Sequence, residues 1–126
     1  RRDYGSTWNG DIIIRDSTFI PTGPSVNIIS GSNDGQHDFG YTCYMTQRVT
    51  IDNLTIEDGD RPEDYPGPFV FSNPNPRMRD DSYEQKYPYV MPRQVTLKSI
   101  TTESGKPLRI SDNEFMFRDV ELIRED

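Results

Sequence analysis

Apolar and polar residues alternate in three short stretches of this chain, and all three follow one template. An apolar residue opens each stretch (Ile12, Val49, Val95) and a second follows two places on (Ile14, Ile51, Leu97). A small polar residue closes it (Asp16, Asn53, Ser99), with a threonine two further along (Thr18, Thr55, Thr101). Period two puts alternate side chains on one face, which predicts strands. Upstream of each stretch stands a tyrosine (Tyr4, Tyr41, Tyr87), and a large apolar residue follows it four places later (Trp8, Met45, Met91). Asp and Asn tolerate left-handed backbone and hydrogen-bond locally, so the small polar position predicts a bend out of one sheet into the next. Second strands are expected at Thr18–Ile20, Leu54–Ile56 and Ile100–Thr102. Third strands are expected after prolines, at Val26–Ile29, Phe69–Ser72 and Leu108–Ser111.

Three strands per unit, separated by bends, describe one coil of a three-sheet solenoid. The predicted class is all-β, a parallel β-helix of three to four coils forming one domain over 1–126. The coils fall at roughly 11–30, 48–72, 94–111 and 114–126. The last is a partial coil through Phe115, Phe117, Asp119, Val120 and Leu122, and it sets Phe115 20 residues after Val95. The Gly-, Pro-, Asn- and Asp-rich segments 31–47, 58–67 and 73–93 read as long loops. Insertions in repeat proteins collect on one face, so 1–9, 31–47 and 73–93 are expected side by side. An antiparallel sandwich is the rival, but it does not predict one corner residue type in every unit. No stretch sustains a helical period. No capping segment is apparent at either end, so the chain reads as part of a longer solenoid or one chain of an assembly.

Composition narrows the function classes. Apolar residues are 32% of the 126 and mean hydropathy is −0.83, which a solenoid with thin buried stripes tolerates. A net charge of −7 argues against a nucleic-acid partner, which calls for a basic face. No apolar run approaches the about 18 residues of a membrane span. Cys43 is the one cysteine, so it has no internal disulfide partner, and it reads as a small buried hydrophobe or a free thiol.

The runs Asp3-Tyr4-Gly5-Ser6-Thr7-Trp8 and His37-Asp38-Phe39-Gly40-Tyr41, with Met45, resemble bacterial right-handed β-helix proteins of the pectate-lyase-like superfamily. As a fold pattern the resemblance spans nearly the whole chain, while the specific words cover about a dozen residues. It implies a right-handed three-sheet solenoid, polysaccharide degradation or recognition, and an extracytoplasmic setting (secreted, periplasmic or cell-surface). The clustered aspartates with Gly-His-Gly of its polygalacturonases are missing. So is the Arg-rich signature of its calcium-dependent lyases, and no catalytic residue carries over. The expected function is cleavage or binding of a polysaccharide on the loop face, by a glycoside hydrolase or polysaccharide lyase. The alternative is a non-catalytic recognition or structural solenoid of tailspike or adhesin type, or a scaffold segment of a larger enzyme.

Candidate site residues follow from side-chain chemistry. His37, the one histidine, adjoins Asp38 and suits general acid/base work, with Asp3 a further carboxylate on a neighbouring loop. A solvated loop histidine is the bland counterpart. All seven tyrosines (Tyr4, Tyr41, Tyr44, Tyr65, Tyr83, Tyr87, Tyr89) fall in predicted loops, while five of six phenylalanines fall in predicted strands. Tyr83, Tyr89 and Trp8 are therefore candidates to stack on sugar rings, against a purely packing role. Arg48 and Arg93 stand just before their strands and could clamp a carboxylate, unless a neighbouring acid pairs with them. Asp58, Asp60 and Glu63 offer oxygens around a glycine, a weak calcium pattern that a solvated acidic turn also explains. Asn53-Leu54-Thr55 fits a glycosylation sequon, set aside because Asn53 is expected to be buried.

Overall fold

A computed structural model describes residues 10–30, 43–72, 75, 78–79 and 89–125. Among them the protein is all-β, with every strand pairing parallel and no helix. The strands are β1 (Asp11–Phe19), β2 (Asn27–Ile29), β3 (Cys43–Tyr44), β4 (Arg48–Ile56), β5 (Phe69–Phe71), β6 (Tyr89–Val90), β7 (Gln94–Thr102) and β8 (Glu121–Glu125). One sheet runs β1-β4-β7-β8, and β2-β5 and β3-β6 form two smaller ones. The predicted first and second strands of each unit are thus single nine-residue strands with a bend inside them.

That bend sits where the sequence puts it. Asp16, Asn53 and Ser99 have φ of 50°, 59° and 54°, the left-handed region. In β4, Val49 and Ile51 are buried while Thr50 and Asp52 face outward. Strict alternation would carry residue 53 inside, but the left-handed residue resets the phase, so Asp52 and Asn53 both face out and Leu54 and Ile56 turn in. Asn53 is therefore exposed, which corrects the expectation of burial and removes the ground for discounting its sequon. Its Nδ2 donates to Asp16 Oδ1 at 2.9 Å, joining successive corners. That bond, more than any other influence, holds the Asp16 carboxyl below its ordinary pKa.

Register makes the interior a set of columns: Ile12–Val49–Val95–Leu122 and Ile14–Ile51–Leu97–Arg124. The β1, β4 and β7 members join Val26, Val70, Phe71, Leu108, Met116 and Phe117 in one core, while Leu122 and Arg124 end the columns exposed. Burying each large apolar side chain contributes about 1.5–3 kcal/mol. The outer face carries columns of opposite charge, including Arg15–Asp52–Lys98–Glu125, whose cross-strand pairs favour this register over a shifted one.

Two expectations need correction. The fourth unit is not a strand through Phe115 and Phe117. Residues 114–119 form turns, organised by Asn113, whose Oδ1 accepts from Met116 N at 3.2 Å. Leu122, not Phe115, stands beside Val95. The apolar alternation there serves packing instead, with Phe117 stacked on Phe71 at 5.3 Å. The third unit's segment after Pro107 pairs only through a Phe69–Arg109 bridge and bonds such as Phe71 N to Ile110 O at 2.9 Å. No helix among the described residues is long and apolar enough to cross a membrane.

Candidate functional site

The described ends of the loop segments converge on Gln47. Its N–H donates to Gly10 O at 3.1 Å, and its carbonyl accepts from Arg93 N at 2.8 Å and Gln94 N at 3.2 Å. Its side-chain Nε2 donates to Met45 O at 2.9 Å and Met91 O at 3.1 Å. Thr46 Oγ1 adds a bond to Gly10 O at 2.9 Å. The β3–β6 pairing and Met45 N to Val90 O, 3.0 Å, continue the contact outward. The described residues that lead into β1, β4 and β7 therefore share one base, in which the Gln47 backbone and Thr46 hold Gly10 and the Gln47 amide satisfies two carbonyls at different levels. Gln47 escaped the sequence reading. The one signal for it was the Gln47-Arg48 and Arg93-Gln94 pairs standing just ahead of Val49 and Val95.

The acid/base and stacking candidates His37, Asp38, Asp3, Trp8 and Tyr83 lie outside the described residues. Tyr89 and Tyr44 belong to short strands rather than to loops. Arg48 does not stand open at the base, since its Nε pairs with Asp11 Oδ1 at 3.0 Å. Arg93 is exposed beside Gln47, and no carboxylate among the described residues pairs with it.

The calcium candidates are not gathered. Asp58 is fully buried, and both its carboxylate oxygens are occupied. Oδ1 accepts from Ser104 N at 2.9 Å, and Oδ2 from Ser104 Oγ at 2.6 Å and Tyr65 OH at 2.8 Å. Burial pushes this carboxyl up, but the bonds from Ser104 and Tyr65 outweigh it and the pKa lies below its ordinary value. Burial first, then the hydrogen bond to Asp58 and after it the Asp58 charge, raise the pKa of the Tyr65 phenol. Asp60 and Glu63 are exposed, and no group of three His, Cys, Asp or Glu among the described residues is placed to hold a metal.

Tyr65 is accordingly no loop platform. It is a buried pillar flanked by Arg61 and Lys106, 5.6 and 5.7 Å from its ring centre, and Lys106 Nζ also donates to its carbonyl. Ser104, 46 residues from Asp58, carries no signal in the sequence. This cluster ties the 58–67 loop to the next unit. Comparison of the chain with known protein families, with curated proteins and with solved structures finds no match.

Proposed function

We propose that the chain is a stretch of a right-handed, three-sheet parallel β-helix whose loop side binds and cleaves polysaccharide in an extracytoplasmic setting. Support for the solenoid comes from the left-handed corners recurring in register at Asp16, Asn53 and Ser99. The observation that carries the functional reading is the shared loop base at Gln47. Loops rising from one hydrogen-bonded footing can present aromatic, carboxylate and guanidinium groups together, as a sugar chain demands. In this reading His37 and Asp38 serve as acid and base with Asp3 beside them. Trp8, Tyr83 and Tyr89 stack on sugar rings. Arg93 takes the clamping role alone, because Asp11 already neutralises Arg48.

The test is a glycan-array screen of the chain with and without calcium, followed by mass analysis of any ligand after incubation. Binding with a shortened product is the expected result, and His37→Ala and Asp38→Asn should each slow cleavage about 100-fold or more, the usual contribution of a general acid or base. Wild-type rates from both variants would remove those assignments. Binding without turnover moves the function to recognition. A folded sample that binds no glycan defeats the proposal.

A further inference from the structure

Away from the loop base, residues 109–124 line an open, solvent-facing cavity of about 330 Å3, within the about 300–1,000 Å3 range of small-molecule sites. Three arginines line it, Arg109, Arg118 and Arg124, against one acidic residue, Glu114. Such a local excess of positive charge is unexpected in a chain of net charge −7. Its apolar lining comes from Ile110, Phe117 and Leu122.

The three arginines, like Arg61, rest on backbone carbonyls or aromatic rings. Arg15, Arg48 and Arg79 pair with aspartates at 3.3, 3.0 and 3.5 Å. Arg109 instead donates Nη2 to Pro66 O at 3.3 Å, with its guanidinium 4.8 Å from the Phe69 ring centre. Arg118 donates Nη1 to Phe115 O at 2.7 Å and sits 4.2 Å from the Phe115 ring centre. Its Nε also forms a long ion pair with Asp119 Oδ2 at 3.8 Å, with both side chains exposed. Arg124 donates Nη2 to Leu108 O at 2.6 Å, from a position in the column otherwise filled by Ile14, Ile51 and Leu97. Carbonyls and rings orient a guanidinium without cancelling its charge, and each has five N–H donors of which these contacts use few.

We infer that this cavity is a binding site for a carboxylate carried on a ring with an apolar face. The guanidiniums take the carboxylate, bidentately where the fork allows, and Ile110, Phe117 and Leu122 cover the ring. Two sources share that chemistry, the uronate residue of a glycan and a free aromatic acid. The inference does not depend on the loop-side function, since no described residue of segments 1–9, 31–47 or 73–93 lines the cavity.

The experiment titrates the full chain by calorimetry with benzoate, glucuronate, glucose and inorganic phosphate at millimolar concentration. Binding of benzoate or glucuronate, with glucose and phosphate clearly weaker, is the expected result, and the tighter of the two identifies the source. Arg109→Gln and Arg118→Gln should each weaken that binding about tenfold or more, as expected for a charge-assisted contact. Glu114→Gln removes the opposing charge and should tighten it, which no loss of folding can mimic. Glucose or phosphate binding as tightly as the ring acids overturns the proposal. So does affinity unchanged in all three variants, or the absence of binding by a folded sample.

Discussion

Asp58 keeps a negative charge where no solvent reaches it, and it does so with three donors from two residues. A buried carboxylate without partners would take up a proton instead. With Ser104 and Tyr65 in place its pKa lies below the ordinary value, and the sign of the pH effect follows. The unfolded chain binds this proton more readily than the folded one. The stabilisation is therefore complete above the ordinary carboxyl value and is lost as pH falls through the folded value. Asp58→Asn should cost about 1–3 kcal/mol at neutral pH, because Ser104 N–H, Ser104 Oγ and the Tyr65 hydroxyl then compete for one acceptor oxygen. It should also lose less stability than the parent between neutral and acid pH. Urea midpoints at pH 7 and pH 3 for both proteins check this. A parent and variant that lose the same stability on acidification would show that Asp58 does not set the acid limb.

Within the strands, a left-handed residue halfway along decides which side chains meet. Because Asn53 and Ser99 each restart the alternation, β4 buries its apolar residues both before and after the corner, and β7 buries Val95 and Leu97 before it and half-buries Ile100 after it. Leu97 is 2% exposed in its column, whereas Ile13, one pleat away from Ile12 and Ile14, is 67% exposed. Leu97→Ala should destabilise the protein by about 2–5 kcal/mol. Ile13→Ala should cost under about 1 kcal/mol, although it removes a side chain of similar size. Denaturant unfolding of the two variants separates them, and similar losses would mean the columns are not the core. This part of the fold was legible because corner geometry restricts residue type: only small polar residues or glycine suit the left-handed position, so it leaves a mark in every unit. The fourth unit was not legible. Phe115 and Phe117 alternate like a strand, yet Asn113 captures Met116 N and turns the chain there. A side chain that caps a turn competes locally with a ladder, and sequence period alone does not say which prevails. The same limit hid the partners of Asp58 and the cavity arginines, which meet only through register.

Across the whole molecule the strands are stacked in one direction, and their pairings close segments of 27 to 46 residues. Among the described strands each pairs only with the levels next to it, so stability is a sum over neighbours rather than a property of one central knot. The order β1-β4-β7-β8 gives β4 and β7 a hydrogen-bonded strand on both sides, and β1 and β8 on one side among the described residues. Burial follows the same gradient: Ile51 is fully buried, while Ile14 in β1 is only partly so and Arg124 in β8 is exposed. Opening at either end exposes one level without disturbing the rest, whereas opening β4 or β7 breaks two ladders at once. Native-state hydrogen exchange should therefore rank the amides of β4 and β7 as slowest, near the global unfolding free energy. Those of β1 and β8 should exchange through smaller local openings that respond weakly to denaturant. Leu97→Ala should speed exchange in β7 and its neighbours β4 and β8 more than in β1. Equal protection in all four strands, with one denaturant slope, would mean that the stack opens as a single unit and that nearest-neighbour coupling is not what holds it.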